Sequence, residues 1–183
     1  MDILAHTLWT NAGARAGNKL AEKKGGKFKV SVGWAAFWGV FPDFFAFTLP
    51  FVIGIYRAVF LGSPLVRGPH IPTAGSFDIA AYLYQFSHSL VIWALVFVLV
   101  WVISKRPRWE LLGWALHILI DIPSHTTGFY PTPFLFPISN YRFPYGVSWA
   151  NTWYMIINYG ALAFVWGKIL IKKYAHKSNR ISR

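Results

Sequence analysis

Asp43, His88, His117 and Asp121 lie inside long stretches that are otherwise almost free of charge. His6 sits in a short apolar segment near the start, and His125 just past the third apolar stretch. An ionisable group in such surroundings costs a few kcal/mol or more, so it needs a partner or a function. Neutral imidazole nitrogen and carboxylate oxygen are the ligands that zinc and similar divalent metals take. Two carboxylates also offset the ion's double positive charge where the dielectric is low. The chain has no cysteine, which excludes thiolate ligands and disulfides alike.

Spacing sharpens this reading. His117 and Asp121 are four residues apart, so on a helix both project from one face. Asp2 and His6 repeat that relation near the amino end. His125 would continue the His117–Asp121 row if the helix survived Pro123. At about 1.5 Å of rise per residue from the nearest basic boundary, His6 and His117 lie roughly 14 Å deep, Asp43 and Asp121 roughly 20 Å and His88 roughly 25 Å. Those depths allow one shared layer.

The elements that position these residues are apolar helices. Hydrophobic residues make up 55% of the 183 and charged ones 13%, against about a quarter charged in a soluble domain. The net charge of +12 comes in clusters: Lys23-Lys24 with Lys27 and Lys29, then Lys105-Arg106 with Arg108, then residues 168–183. Nucleic acid is disfavoured as a partner, because the basic residues flank apolar stretches rather than line a polar face. Basic loops beside anionic headgroups explain them better. Crossing a bilayer takes roughly 20 apolar residues. Residues 32–60, 79–104, 109–122 and 149–171 are the candidates, with Pro42 and Pro50 expected to kink the first. Residues 3–14 are too few to cross and read as a half-inserted helix. Residues 61–77 and 128–146, rich in proline, read as loops, the second at headgroup level with Arg142 available to a phosphate. The expected fold is all-α: a single membrane-embedded domain, 1–183, of about four spanning helices plus the short amino-terminal one. Both termini fall on the cytoplasmic side, residues 174–183 forming a basic tail.

Each polar residue has a plainer explanation. His88 could hydrogen-bond across helices, His117 and Asp121 could bridge two spans, and Asp43 after Pro42 could cap a restarting helix. Requiring all of these together in so charge-poor a chain favours a shared site. Two further roles compete with a catalytic one. A proton or ion relay would use the same His and Asp residues, but the internal repeat of a carrier is absent. A non-catalytic scaffold would keep the cluster as a structural site.

The chain resembles the YdjM family of inner-membrane metal-dependent hydrolases. The resemblance rests on Met1-Asp2-Ile3-Leu4-Ala5-His6, Phe41-Pro42-Asp43, Phe86-Ser87-His88-Ser89-Leu90 and His117-Ile118-Leu119-Ile120-Asp121, followed by Gly128 and Pro137. The order His, Asp, His, His-x-x-x-Asp is also similar to the zinc-dependent phospholipase C and single-strand nuclease superfamily. By that analogy Asp43, His88, His117 and Asp121 surround one zinc or related ion. Asp121 bridges to a second, held by His6 with Asp2 or the terminal amine. The later His-x-x-x-Glu pair of those enzymes is missing, since no Glu follows Glu110 and only His125 is spare; at most two ions are expected. The resemblance implies a prokaryotic cytoplasmic membrane and hydrolysis of an ester or phosphoester of a lipid or lipid-linked substrate by metal-activated water, with Asp121 or Asp43 orienting that water.

Overall fold

The computed structural model describes residues 1–26, 29–62 and 76–181, the side chains of 76–78 and 173–181 excepted. Among them the regular structure is helical throughout: α1 (Ile3–Lys23), α2 (Val32–Phe60), α3 (Ser76–Ser87), α4 (Leu90–Ser104), α5 (Leu112–Ser124, entered through a short 3-10 turn at Trp109–Leu111) and α6 (Thr152–Ile181). Arg67 and most of the loop expected over 61–77 fall outside the described residues.

Two helices are long and apolar enough to cross a bilayer by themselves, α2 over Val32–Phe60 and α6 over Thr152–Lys172. The run 79–104 is not one straight helix. It breaks between α3 and α4 and bends by 60°, so it is a broken span or a re-entrant loop. Helix α5 has 13 residues, roughly 20 Å at 1.5 Å each, short of the roughly 30 Å hydrocarbon core. It is instead the buried centre of the fold, with Gly113, Trp114, Ala115, His117, Ile118, Asp121 and Ser124 all buried. Among the described residues two helices, or three spans counting the bent pair, are long and apolar enough to cross, against the four expected.

Helix α1 also departs from expectation. It runs 21 residues, past the expected end at residue 14 to Lys23. The Asp2 carboxylate caps its start by accepting from Ala5 N at 2.9 Å. Its return to α2 is clamped by Asn18, which donates to Val30 O at 2.8 Å and accepts from Val30 N at 2.7 Å. Because α1 and α2 are joined at this end, the Met1 end of α1 lies beside Phe51 and Val52, far along α2. Met1 is buried there, 5% exposed. Helix α6 continues to Ile181, through most of the basic tail.

Pro42 and Pro50, the residues expected to kink α2, both lie inside it, and the helix continues through them. Pro123 likewise lies within α5, which closes one residue later at Ser124. Close helix contact depends on two glycines. A Cβ at Gly113 would overlap the Ala35 carbonyl of α2, and one at Gly39 would overlap the Thr10 side chain of α1. Lacking those atoms, α1, α2 and α5 approach nearly backbone to backbone.

Around this centre lie two apolar clusters. One joins Leu111, Trp114 and Ile118 to Trp38, Phe41, Trp93 and Phe97. The other joins Met1, Ala5 and Leu162 to Trp9, Ile120 and Trp166. The outer faces are strongly apolar as well: α4 has no buried residue, and exposes Leu95, Val98, Leu99, Val102 and Ile103. Exposed apolar surface of this extent marks contact with lipid.

Candidate metal centre

Three elements bring the polar residues together. Asp43 comes from mid-α2, His117 and Asp121 from one face of α5, and His88 from the break between α3 and α4. That break is stabilised locally. Ser89 adopts an extended backbone, and its hydroxyl caps α4 by accepting from Val91 N and Ile92 N, both at 3.1 Å. The loop after α5 supplies the remaining partners: Leu90 N donates to Phe134 O at 3.0 Å, and the Ser89 hydroxyl donates to Phe136 O. Ser87, His88 and Ser89 are at most 2% exposed. Irregular backbone between apolar helices is tolerated where protein buries it, as here.

One ligand atom from each of Asp43, His88, His117 and Asp121 lies within 4.8 Å of all the others. The individual separations are short. His117 Nε2 is 3.1 Å from His88 Nε2 and 3.1 Å from Asp121 Oδ2. His88 Nε2 is 3.5 Å from Asp121 Oδ2 and 3.5 Å from Asp43 Oδ1. His117 Nε2 is 3.7 Å from Asp43 Oδ1. Ligands about 2.0–2.1 Å from a tetrahedral zinc sit roughly 3.3–3.4 Å from one another. The observed edges straddle that value, so these four residues could hold a metal ion.

The ring nitrogens are oriented for it. His117 Nδ1 donates to Gly39 O at 2.7 Å; since a carbonyl only accepts, the neutral ring turns a lone pair on Nε2 into the cluster. His88 Nδ1 pairs with the Ser87 hydroxyl at 2.9 Å, and the His88 ring stacks on Tyr84, centroids 3.7 Å apart. Tyr84 in turn donates to Tyr130 O at 3.0 Å. Sequence reasoning misses Tyr84, Ser87 and the Gly39 carbonyl. Tyr84 stands one turn before His88 on a helix, a spacing that could have found it; the carbonyl leaves no trace in sequence.

Asp121 faces two ways. Its Oδ2 joins the cluster just described, while Oδ1 turns toward α1. There it accepts from the Met1 amino group at 2.6 Å and lies 3.0 Å from His6 Nε2 and 3.5 Å from His125 Nε2. His6 is fully buried, and neither of its ring nitrogens has a hydrogen-bond partner; the contact with Asp121 is close but off the line of an N–H bond. His125 does not need a continued helix to arrive. It is the extended residue that ends α5, and its Nδ1 donates to Tyr130 O at 2.9 Å, turning Nε2 inward. Asp43 does not cap a restarting helix, because α2 is unbroken around it. Asp2 stays with its capping role and with Tyr159, whose hydroxyl donates to Asp2 Oδ1 at 2.9 Å. Arg142 makes no ion pair to the cluster among the described residues, and its guanidinium donates to Tyr141 O at 3.2 Å.

Among the described residues every ion pair ends on Asp43 or Asp121. Two carboxylates, Asp43 and Asp121, thus meet at one point, and a divalent cation would balance them. Comparison with known protein families, with curated proteins and with solved structures finds no match for this chain.

Proposed function

We propose that this chain is a membrane-bound hydrolase that uses one or two divalent ions, zinc first among them, to cleave an ester or phosphoester of a lipid or lipid-linked substrate. The observation that carries this is the four-residue cluster, with the spacing of a tetrahedral ion site and contributions from three helical elements. A bound divalent ion would lower the pKa of a water molecule and stabilise negative charge developing on the substrate. The protein supplies the rest. His88 and His117 are held by Ser87 and Gly39, Asp121 spans two groups of ligands, and Asp43 is the ligand exposed enough to meet a substrate, 15% against at most 1% for the others. Water then adds across the ester bond, its oxygen passing to phosphorus or acyl carbon and its proton, through a carboxylate, to the leaving alcohol. Asp43 and Asp121 are the groups placed to carry that proton.

The unpartnered His6 nitrogens beside Asp121 Oδ1 support a second ion shared through Asp121. The motif resemblance to the YdjM family points the same way. For topology we propose that the Lys23–Lys24, Lys105–Arg108 and carboxy-terminal basic groups share the cytoplasmic side of a prokaryotic inner membrane. Helices α2, α3–α4 and α6 then cross, and α5 reaches partway, with the 125–151 loop completing the path.

The test is metal content of detergent-purified protein, wild type beside His117→Ala and Asp121→Ala, with folding checked by gel filtration. One to two equivalents, lost in folded variants, together with turnover of phosphoester lipids, is the expected result. A stable wild-type protein that takes up no metal on reconstitution sinks the proposal.

A further inference from the structure

Against the metal centre lies a groove of about 780 Å³, within the range of a built ligand site. One wall is the second half of α2, where Phe44, Phe51 and Val52 are 47%, 70% and 55% exposed. Ile3 and Leu4 at the start of α1 form the opposite wall, both also exposed. Phe129, Tyr130 and Trp149, from the segment between α5 and α6, close it over. Asp43 and His125 of the polar cluster also line it, with Met1 and Asp2. The lining is therefore mostly apolar, with ionisable groups that include a ligand of the metal cluster.

Two facts set what fits there. Asp43 is the one cluster ligand with appreciable exposure, and it lines this groove. The apolar walls are the same α2 and α1 faces that would meet lipid, so the groove opens sideways into hydrocarbon rather than into water. A water-soluble ester would have to leave its hydration shell to lie against Phe44, Phe47 and Val52. A hydrocarbon chain loses nothing in moving from lipid to such walls, and it delivers its polar end to Asp43.

We infer that this groove binds one long hydrocarbon chain of the substrate, entering laterally from the bilayer between the start of α1 and the second half of α2, with the scissile bond at Asp43. The inference rests on the hydrolase reading for the word substrate, but the chain site stands on the groove alone. Phe47, packed edge-on against Tyr130 with centroids 5.2 Å apart, lines it as well. Thr48, exposed in the same lining, is the position from which a larger side chain would fill the channel.

The experiment uses hexadecyl phosphate with a photoreactive diazirine at the chain end, incubated with the metal-supplemented full chain in detergent and mapped by mass spectrometry. Labelling should fall on peptides carrying Phe47, Val52 and Phe129 and should saturate. Unlabelled hexadecyl phosphate should compete, and inorganic phosphate should not. Thr48→Trp should weaken it about tenfold, the equivalent of roughly two methylenes of lost contact, with metal content unchanged. Leu95→Trp, on the exposed face of α4, should have no effect. If Thr48→Trp does not fold, Val52→Trp takes its place. Labelling spread without saturation over α4 and α6, indifferent to either tryptophan, overturns the groove, while retained metal and turnover of a short-chain phosphoester would leave the hydrolase reading intact. Saturable groove labelling in a protein that takes up no metal would keep the chain site and remove the hydrolase.

Discussion

The Nδ1–H of His117 donates to the carbonyl of Gly39 at 2.7 Å, across the interface between α5 and α2. That contact depends on Gly113, whose missing Cβ lets α5 approach the α2 backbone at Ala35 and Gly39 closely enough for an imidazole to reach a main-chain oxygen. Helix packing and ligand orientation are thus one event. A change that spreads α2 from α5 would turn the His117 lone pair away from His88 and Asp121 even though every ligand remained in the chain.

Gly113→Ala tests this coupling. The added methyl meets the Ala35 carbonyl, which as backbone cannot rotate aside, and overpacking of this kind costs about 1–3 kcal/mol. We expect a lower melting temperature and weaker metal uptake together, read by thermal denaturation and by metal analysis of the same sample. Full metal affinity in a destabilised Gly113→Ala would show that the ligands do not depend on this contact.

Metal should stabilise the folded protein. An ion that binds only the folded chain adds about 2.7 kcal/mol at a hundred times its Kd. Zinc should therefore raise the melting temperature in detergent, and a chelator should reverse the rise. In His88→Ala, which removes one corner of the cluster and leaves the helices intact, the rise should vanish. A zinc response of wild-type size in His88→Ala would place the ion elsewhere.

Much of this centre is legible in the amino-acid sequence. The types and positions of Asp43, His88, His117 and Asp121 are conspicuous because charge is so scarce around them, and the four-residue step of His117 and Asp121 puts both on one helical face. The helical class follows from the apolar runs. What escapes is whatever depends on the path of the backbone. Hydropathy cannot distinguish a 13-residue helix buried by protein from one buried by lipid, so α5 reads as a crossing. Composition likewise gives no sign that Ser89 breaks the 79–104 run, since its cost is met by carbonyls from Phe134 and Phe136, more than forty residues away. Met1 is unreadable for the same reason: its burial comes from the direction in which α1 returns along α2.

Ser87→Ala should separate orientation from coordination. Ser87 touches His88 Nδ1 at 2.9 Å and makes no contact with the cluster centre. Loss of such a supporting group typically weakens metal affinity about 10–100-fold. The folded variant should still bind metal, with a raised dissociation constant in a competition titration against a chromogenic chelator. Unchanged affinity would mean that Tyr84 stacking alone holds the ring.

His6 offers the sharpest count of ions. It is buried against His117, ring centroids 3.7 Å apart, yet no hydrogen bond satisfies either nitrogen. If a second ion sits between His6 and Asp121 Oδ1, His6→Phe should keep the stacking volume and lower the metal content from two equivalents to one. The Asp43, His88, His117 and Asp121 cluster should stay filled in the same sample. Wild-type protein holding two equivalents and His6→Phe also holding two would eliminate His6 as a ligand, and its buried ring would then serve packing alone.

Asp43→Asn distinguishes a catalyst from a structural ion site. Asparagine keeps an oxygen close to the position of Asp43 Oδ1, now 3.5 Å from His88 Nε2 and 3.7 Å from His117 Nε2, but it removes the negative charge and the capacity to take a proton. Three ligands are untouched, so the ion should be retained with reduced affinity and the fold preserved. As a structural site the cluster would tolerate that change with little consequence beyond weaker binding. As a catalytic one it would lose the group that meets the substrate, and removal of a general acid–base group typically costs about 10²–10⁴-fold in turnover. Turnover should therefore fall by about that factor at saturating metal. Wild-type turnover in metal-loaded Asp43→Asn would take the proton-transfer role from Asp43 and leave Asp121 to fill it.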